Sequence, residues 1–325
     1  MSYLSDRSQR TKFGDHLSDT CPIDVGLPQG SVIGPWLFNL YINDLATFSD
    51  TLNTTLFCDD STLYLSDKNI NSLYHRANTE LHRLNTWVIA NRLTINTDKT
   101  VAMLFSTRKI KNVPLLLIKN NYTYDIIKRV QSTKFLGILY DENLSFKPHI
   151  SSLTRKLSKL AGMFYTLHSF LPSRILQIIY NAHVNSALNY NTPIWCCNYR
   201  NNIEPLLKIQ KRIIRNVTKS DYLAHSKPLF KKSKALNIYD INKLYMGCQF
   251  FKNPSKYITP LRANHQHFTR NENILRPIQH SLSLVHNSFL IQGPLNYNDV
   301  PPNIKLTKSI TSFKKQLKKY LLSLY

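Results

Sequence analysis

Two apolar periods run along this chain, and they change over near residue 148. Before that point, short runs of β-branched and aromatic residues bounded by turn formers predict strands; after it, apolar side chains recur every three or four positions, as on helices. Residues 54–57 and 62–65 predict one hairpin, with Cys58, Asp59, Asp60 and Ser61 between its strands. Residues 10–13 and 23–25 predict a strand pair about Gly14, Asp15 and His16, and 101–105, 114–118 and 133–139 predict further strands, with Asn120-Asn121 as a turn. Two helices are predicted among them. One covers 36–45; the other covers 69–91, where Ile70, Leu73, Tyr74, Ala77, Leu81, Leu84 and Val88 share a face.

Beyond residue 148 the stripe Ile150, Leu153, Leu157, Leu160, Ala161, Phe164 and Leu167 predicts a long helix, with Arg155, Lys156 and Lys159 near its edge. Pro172 and Ser173 mark a break and a restart, after which Ile175, Ile178, Ile179, Ala182 and Val184 continue. A third helix sorts its residues by chemistry: Lys208, Lys211, Arg212, Arg215 and Lys219 fall on one face, and Leu206, Ile209, Ile213, Ile214 and Val217 on the other. Residues 229–234 and 238–241 predict short helices, and 264–273 a mobile segment. The closing stretch reads as a helix capped by Ser309 or Thr311, with Phe313, Leu317 and Leu321 on one face.

With 325 residues, 42% of them hydrophobic, and only 8 Gly and 15 Pro, the chain has material for a buried core and for two domains. No run of about 18 uncharged apolar residues predicts a membrane span. The polar start lacks the apolar stretch of a secretion signal, so the expected location is intracellular, in the cytoplasm or nucleus. Cys21, Cys58, Cys196, Cys197 and Cys248 are odd in number and lack zinc-finger spacing, which indicates neither a disulfide framework nor a zinc site. Cys196 and Cys197 are expected reduced and half-buried beside Trp195; His265 and His267 read as solvated loop residues. Charge changes the picture most. Residues 1–150 hold 16 Lys and Arg against 14 Asp and Glu, net +2, whereas 151–325 hold 26 against 5, net +21. So one-sided a load points to a polyanionic partner, because neutralising phosphates supplies most sequence-independent affinity for nucleic acid.

The candidate chemistry sits at Asp59 and Asp60. Aspartates at a tight turn are commonly there to bond neighbouring backbone; two hard anionic oxygens held on a hairpin can also bind the magnesium that accompanies a nucleotide's phosphates. The preceding segment decides between them. Gly26-Leu27-Pro28-Gln29-Gly30-Ser31 is a glycine-rich turn, followed by Trp36-Leu37-Phe38-Asn39-Leu40-Tyr41-Ile42-Asn43-Asp44-Leu45 with helical spacing, and then Phe57-Cys58-Asp59-Asp60. Loop, helix, strand, Asp-Asp turn and strand, in that order, resemble the palm of reverse transcriptases, most closely those of non-LTR retrotransposons of the LINE type. Cys58 stands where that family usually has Ala. Trp87, Asn91, Leu93, Ile95, Asn96, Lys99 and Thr100 match a further family segment, and Phe135-Leu136-Gly137-Ile138-Leu139-Tyr140-Asp141 resembles its primer grip.

What the resemblance implies is an α+β chain: a partial polymerase palm over 1–147, with an antiparallel sheet and helices on one face, a helical thumb over 148–220, and a mostly helical basic C-terminal extension over 221–325. The activity implied is RNA-directed DNA synthesis from deoxynucleoside triphosphates on an RNA template and DNA primer, with Mg2+ held by Asp59 and Asp60. Gln29, Gly30 and Ser31 would position template and nucleotide, Lys99 would assist the departing pyrophosphate, Phe135, Leu136 and Gly137 would support the primer, and the Lys208 to Lys219 face would meet the backbone. The family also uses an aspartate from an earlier apolar strand. Asp6, Asp15, Asp19 and Asp24 do not sit in such a strand, so the chain is expected to begin within the palm and to be inactive by itself. The other reading is a nucleic-acid-binding remnant or domesticated protein without catalysis.

Overall fold

The computed structural model describes residues 3–23, 26–28, 30–120, 123–253, 275 and 283–325. It is a mixed structure of helices and strands that falls into two compact units, one of Met1–Ala102 with Arg108–Val130, the other of Met103–Thr107 with Gln131–Tyr325. No helix among the described residues is long and apolar enough to cross a membrane.

The N-terminal unit opens with β1 (Arg7–Gln9), β2 (Lys12–Phe13), β3 (His16–Leu17) and β4 (Cys21–Ile23). Instead of one pair spanning 10–25, the structure nests two: β2 pairs β3 across the Gly14 turn, and β1 pairs β4 outside it. Gly14, at φ 59°, allows a loop too tight for the longer strands expected. Next come α1 (Gly34–Ile42), β5 (Asn53–Phe57), β6 (Asp60–Tyr64) and α2 (Ile70–Ala90). The α2 stripe behaves as its spacing predicts, burying Tyr74, Leu81, Leu84 and Val88. Asn69 caps it, accepting from the Asn71 and Ser72 amides at 2.8 and 3.2 Å. Asp67 accepts from the Asn69 amide, the Ser72 hydroxyl and Arg76 at 3.0, 2.8 and 3.1 Å, and these bonds hold its carboxyl down at about 2. Buried in the same helix, Glu80 accepts from Thr51 at 2.9 Å and pairs with Arg83 at 3.1 Å. Burial pushes its carboxyl up, but hydrogen bonds from Ser49 and Thr51 and the Arg83 charge more than offset it, leaving the carboxyl below its ordinary range.

After α2 follow β7 (Val101–Ala102), β8 (Leu117–Asn120), β9 (Thr123–Ile126) and β10 (Lys128–Arg129). Asn78 locks β8 to α2: its amide donates to the Leu115 carbonyl at 3.0 Å and accepts from the Leu117 amide at 2.8 Å. Among the described residues the strands pair only two by two, antiparallel except for β10 with β7, where the resemblance implies an antiparallel sheet. The strands are short, so helices, more than neighbouring strands, cover their apolar sides. Ile42, Leu45, Leu81, Leu84, Val88, Ile118 and Ile127 form the core.

The second unit starts with a hairpin, β11 (Ser132–Phe135) and β12 (Ile138–Asp141), and is helical thereafter: α3 (Lys147–Phe170), α4 (Ser173–Ile179), α5 (Ser186–Asn189), α6 (Thr192–Trp195), α7 (Arg200–Thr218), α8 (Ser226–Lys232) and α9 (Ile238–Lys252). Four more follow, α10 (Ser283–His286), α11 (Phe289–Asn298), α12 (Pro302–Lys305) and α13 (Ile310–Ser323). α3 buries Ile150, Leu153, Leu157, Ala161 and Phe164, as its stripe predicts. Between α4 and α5 the helix widens into a π turn over Tyr180–Asn185. The buried side chains there are Leu176, Tyr180, Val184 and Leu188, one every four residues, while Ile175 and Ile178 stand exposed. The wider turn lengthens the repeat, which is why the expected stripe is displaced.

α9 runs to Lys252, far beyond the short helix its first residues suggest. It is buried on several sides, by Ile238, Ile241, Leu244, Met246, Cys248 and Phe250, so no single apolar face marks it in the sequence. Cys196 and Cys197 are fully buried, not half-buried. Burial raises both thiols, Cys197 to about 11, so neither is a reactive thiolate. α13 packs Phe313, Leu317 and Leu321 into the same core as α3 and α7, and Ser309 caps it as expected, accepting from the Ser312 amide at 3.2 Å. The 264–273 segment, with His265 and His267, lies outside the described residues.

Candidate polymerase site and nucleic-acid face

The β5–β6 hairpin pairs Asn53 with Tyr64 through Phe57 with Asp60, leaving a two-residue loop of Cys58 and Asp59. Asp59 is therefore the loop residue and Asp60 the first residue of β6, a more compact tip than a four-residue turn. Cross-strand partners share a face of the ladder, so Thr54, Leu56, Ser61 and Leu63 face one way, and Phe57, Asp60, Thr62 and Tyr64 the other. The first face packs, with Leu56 and Leu63 against the core of the unit. The second is open, with Phe57 and Tyr64 more than half exposed. Asp60 shares the open face, and both carboxylates are exposed without an ion-pair or hydrogen-bond partner among the described residues. Cys58 has φ 54°, a left-handed conformation that two-residue hairpin loops favour and that a non-glycine residue adopts at a cost of about 1 kcal/mol.

The glycine-rich loop holds Gly26 and Gly30, each at φ 80°. Gln29 lies outside the described residues. Ser31 accepts from the Gly34 amide at 2.9 Å, satisfying the first N–H of α1 from two positions ahead of the cap, and its own hydroxyl proton is left free to donate. A side chain at Gly34 would meet that oxygen at 2.7 Å. Lys99 closes a turn in which its amide donates to Asn96 Oδ1 at 3.1 Å, and its ammonium is exposed. Among the described residues no group of three or more His, Cys, Asp or Glu side chains is disposed to hold a metal. Asp59 and Asp60 by themselves fit the smaller requirement of Mg2+, which is bound through one or two carboxylates, water and a nucleotide's own phosphates.

In the helical unit, Phe135 pairs with Ile138, so Leu136 and Gly137 form a two-residue turn with φ 44° and 82°. This is a tight turn. Tyr190 braces it: its hydroxyl donates to the Leu136 carbonyl at 2.6 Å, and its ring lies 3.1 Å from where a Cβ on Gly137 would be. Behind it, His149 Nδ1 accepts from the Leu139 amide at 3.4 Å and its ring meets Trp195 edge-on at 5.4 Å; burial lowers its pKa. Asp141 is 7% exposed and accepts from the Ser145 and Phe146 amides at 3.1 and 2.7 Å, which makes it a turn residue. Sequence reasoning missed Tyr190 and the contacts of His149. Both act through single polar bonds, and Tyr190 follows the end of α5, where no period singles it out.

On α7, Lys208 and Arg212 are exposed, while Lys211 and Arg215 are half-buried; Lys219, expected on the same face, lies just past the helix as its left-handed cap at φ 53° and is exposed. Arg215 has a second task, donating from Nε to the Ala224 carbonyl at 2.9 Å. The apolar side buries Ile203, Leu206, Ile213, Ile214 and Val217. Gln210 is fully buried there; its amide donates to the Tyr180 hydroxyl at 3.0 Å and the Leu236 carbonyl at 2.9 Å, and its oxygen accepts from the Ile238 amide at 3.0 Å.

Residues 2–140 match the model of the reverse transcriptase (RNA-dependent DNA polymerase) family. Across more of the chain, three Drosophila melanogaster proteins are similar. A probable RNA-directed DNA polymerase from transposon BS is 25% identical over 86% of this chain and 31% of its own length. A probable RNA-directed DNA polymerase from transposon X-element is 24% identical over 74% of this chain and 27% of its own. The RNA-directed DNA polymerase from mobile element jockey is 22% identical, again over 74% and 27%. The chain thus spans less than a third of the length of these curated relatives. No solved structure gives a significant match. The match over residues 2–140 and these relatives together make the chain similar to the reverse transcriptases of non-LTR, LINE-type retrotransposons.

Proposed function

We propose that this chain contributes the carboxylate hairpin and the duplex-holding face of an RNA-directed DNA polymerase that copies an RNA template from a DNA primer. The observation that carries the reading is the β5–β6 tip, where Asp59 and Asp60 stand exposed at the edge of an open hairpin face. They would hold Mg2+, which when bound neutralises the phosphates of an incoming deoxynucleoside triphosphate. Lys99 would hydrogen-bond the departing pyrophosphate. Gln29, Gly30 and Ser31 would lie against template and nucleotide, Gly30 because a residue without a Cβ lets a base pair come close. The Phe135-Leu136-Gly137 turn would carry the primer end, and Lys208, Lys211, Arg212, Arg215 and Lys219 would meet backbone phosphates.

The palm, thumb and extension at 1–147, 148–220 and 221–325 are part of the same proposal, as is the expectation that the chain does not polymerise alone. The test is titration with Mn2+ in place of Mg2+ in the presence of a deoxynucleoside triphosphate, read by broadening of NMR signals around residues 57–61, beside a primer-extension assay with Mg2+. Broadening in the wild type and none in the Asp59→Asn, Asp60→Asn variant is expected, with no extension in either. Broadening that survives the double variant would remove the metal role. Magnesium-dependent extension lost in the variant would overturn the expected inactivity.

A nucleic-acid-binding protein without chemistry is the second reading, favoured by the apolar-backed basic face of α7. It predicts retention on RNA that weakens steeply with salt and no metal response at the hairpin.

A further inference from the structure

We propose that the loop between α7 and α8 is a stacking site for an unpaired base of single-stranded nucleic acid, with Tyr222 as the platform and Leu223 beside it. The proposal deepens the nucleic-acid reading of α7 and rests on it. Tyr222 and Leu223 are 76% and 85% exposed, among the largest exposures of apolar side chains in the helical unit. Yet the loop that carries them is tied down. The Ser220 amide donates to the Arg215 carbonyl at 3.0 Å, the Ala224 amide to the Asp221 carbonyl at 3.1 Å, and the Leu223 amide to Asp221 Oδ1 at 2.8 Å. Arg215 then clamps the far side through the Ala224 carbonyl at 2.9 Å, and the Thr218 and Ser220 hydroxyls meet at 2.9 Å.

These bonds close a turn whose two central residues are the aromatic and the leucine, so the fold holds both out in water when collapse would bury them. Such presentation gains the fold nothing and suits a ligand with a flat apolar face. Charge names the ligand. From Lys208 to Lys234 the sequence holds nine Lys and Arg and a single acidic residue, Asp221, whose carboxylate is occupied by the Leu223 amide. A flat apolar group carried on a polyanion is a nucleotide base, and rows of cations with interleaved aromatics are how single strands are held without regard to sequence.

The test uses the full chain and two fluorescent probes, a uridine oligomer and a blunt RNA–DNA duplex of equal length. Tyr222→Ala should bind the oligomer roughly 5- to 150-fold more weakly, with an unchanged salt slope and unchanged duplex affinity. Tyr222→Phe should bind as the wild type does, since stacking needs the ring and not the hydroxyl. Lys208→Ala with Lys211→Ala should instead weaken both probes and reduce the salt slope by about two. If Tyr222→Ala holds the oligomer as tightly as the wild type while binding stays salt-dependent, the stacking site falls and the phosphate face stands. If the wild type holds neither probe, or the loop binds anionic lipid vesicles in preference to RNA, both fall. Because Tyr222 is exposed, its replacement leaves the fold intact, which unchanged circular dichroism verifies.

Discussion

Among the described residues the core cluster of the N-terminal unit holds seven buried apolar side chains and that of the helical unit thirty-one. The smaller core leaves a great deal uncovered: Phe13 and Val32 are each 87% exposed, Trp36 77% and Leu40 76%. The residues proposed for chemistry, Asp59, Asp60 and Lys99, stand on that lightly packed scaffold. The residues proposed for holding nucleic acid stand on a helix whose inner face is fully buried. Local opening is drawn from the less packed parts of a protein. The charged face is therefore the fixed part of this molecule and the carboxylate hairpin the part that opens more easily.

The sharpest way to break that contrast is to cut the larger core. Phe313→Ala, at a fully buried position, should cost the helical unit about 3–5 kcal/mol. Urea unfolding followed by Trp195 fluorescence in a Trp36→Phe, Trp87→Phe background would show it. A loss under about 1 kcal/mol would mean that α13 does not belong to the core.

Two glycines compare the units next. Gly137→Ala meets both a φ of 82° and the Tyr190 ring at 3.1 Å, whereas Gly30→Ala meets a φ of 80° and open space. The first should cost about 2–3 kcal/mol and the second about 1–2, and equal losses, read by hydrogen exchange within each unit, would show that Tyr190 does not constrain the turn. Tyr190→Phe removes one hydrogen bond and should cost about 0.5–1.5 kcal/mol. Hydrogen exchange at the Leu136-Gly137 turn should then accelerate; unchanged protection would remove the brace.

His149 supplies a pH test of the helical unit. Burial lowers its folded pKa beneath the ordinary 6.5, so the unfolded chain takes up the proton first. Its contribution is therefore complete above about pH 6.5 and is lost as pH falls toward the folded value. The urea midpoint should drop between pH 7.5 and 5, and His149→Gln should flatten that slope. Smallest of all, the Asp59→Asn, Asp60→Asn variant should change stability by less than about 0.5 kcal/mol, because both side chains are exposed and unpaired. A larger change would mean that the hairpin tip is structural.

Much of this was legible in the sequence, and the reason differs by element. α2, α3, α7 and α13 pack one apolar face, so their spacing gives them away. α9 packs on several sides and leaves no such trace, and the π turn after α4 shifts a stripe that a regular helix would keep. The Asp-Asp hairpin was readable because strand and turn residues agree on either side of it. Its two-residue loop was not, since the demand for a left-handed residue falls on Cys58, a type that does not advertise it. Tyr190 was invisible for a simpler reason: a bond from one hydroxyl to a carbonyl 54 residues away follows no local pattern.

Gln210 has a consequence for how α7 would read a polyanion. With three internal bonds, its amide fixes the angle at which the helix sits about its own long axis. Sliding or rolling by one residue would leave all three unmade in a dry interior, at about 1–3 kcal/mol for each stranded group. The array of cations on the outer side is therefore held at constant azimuth, and added salt would thin its grip on phosphate without redrawing the footprint.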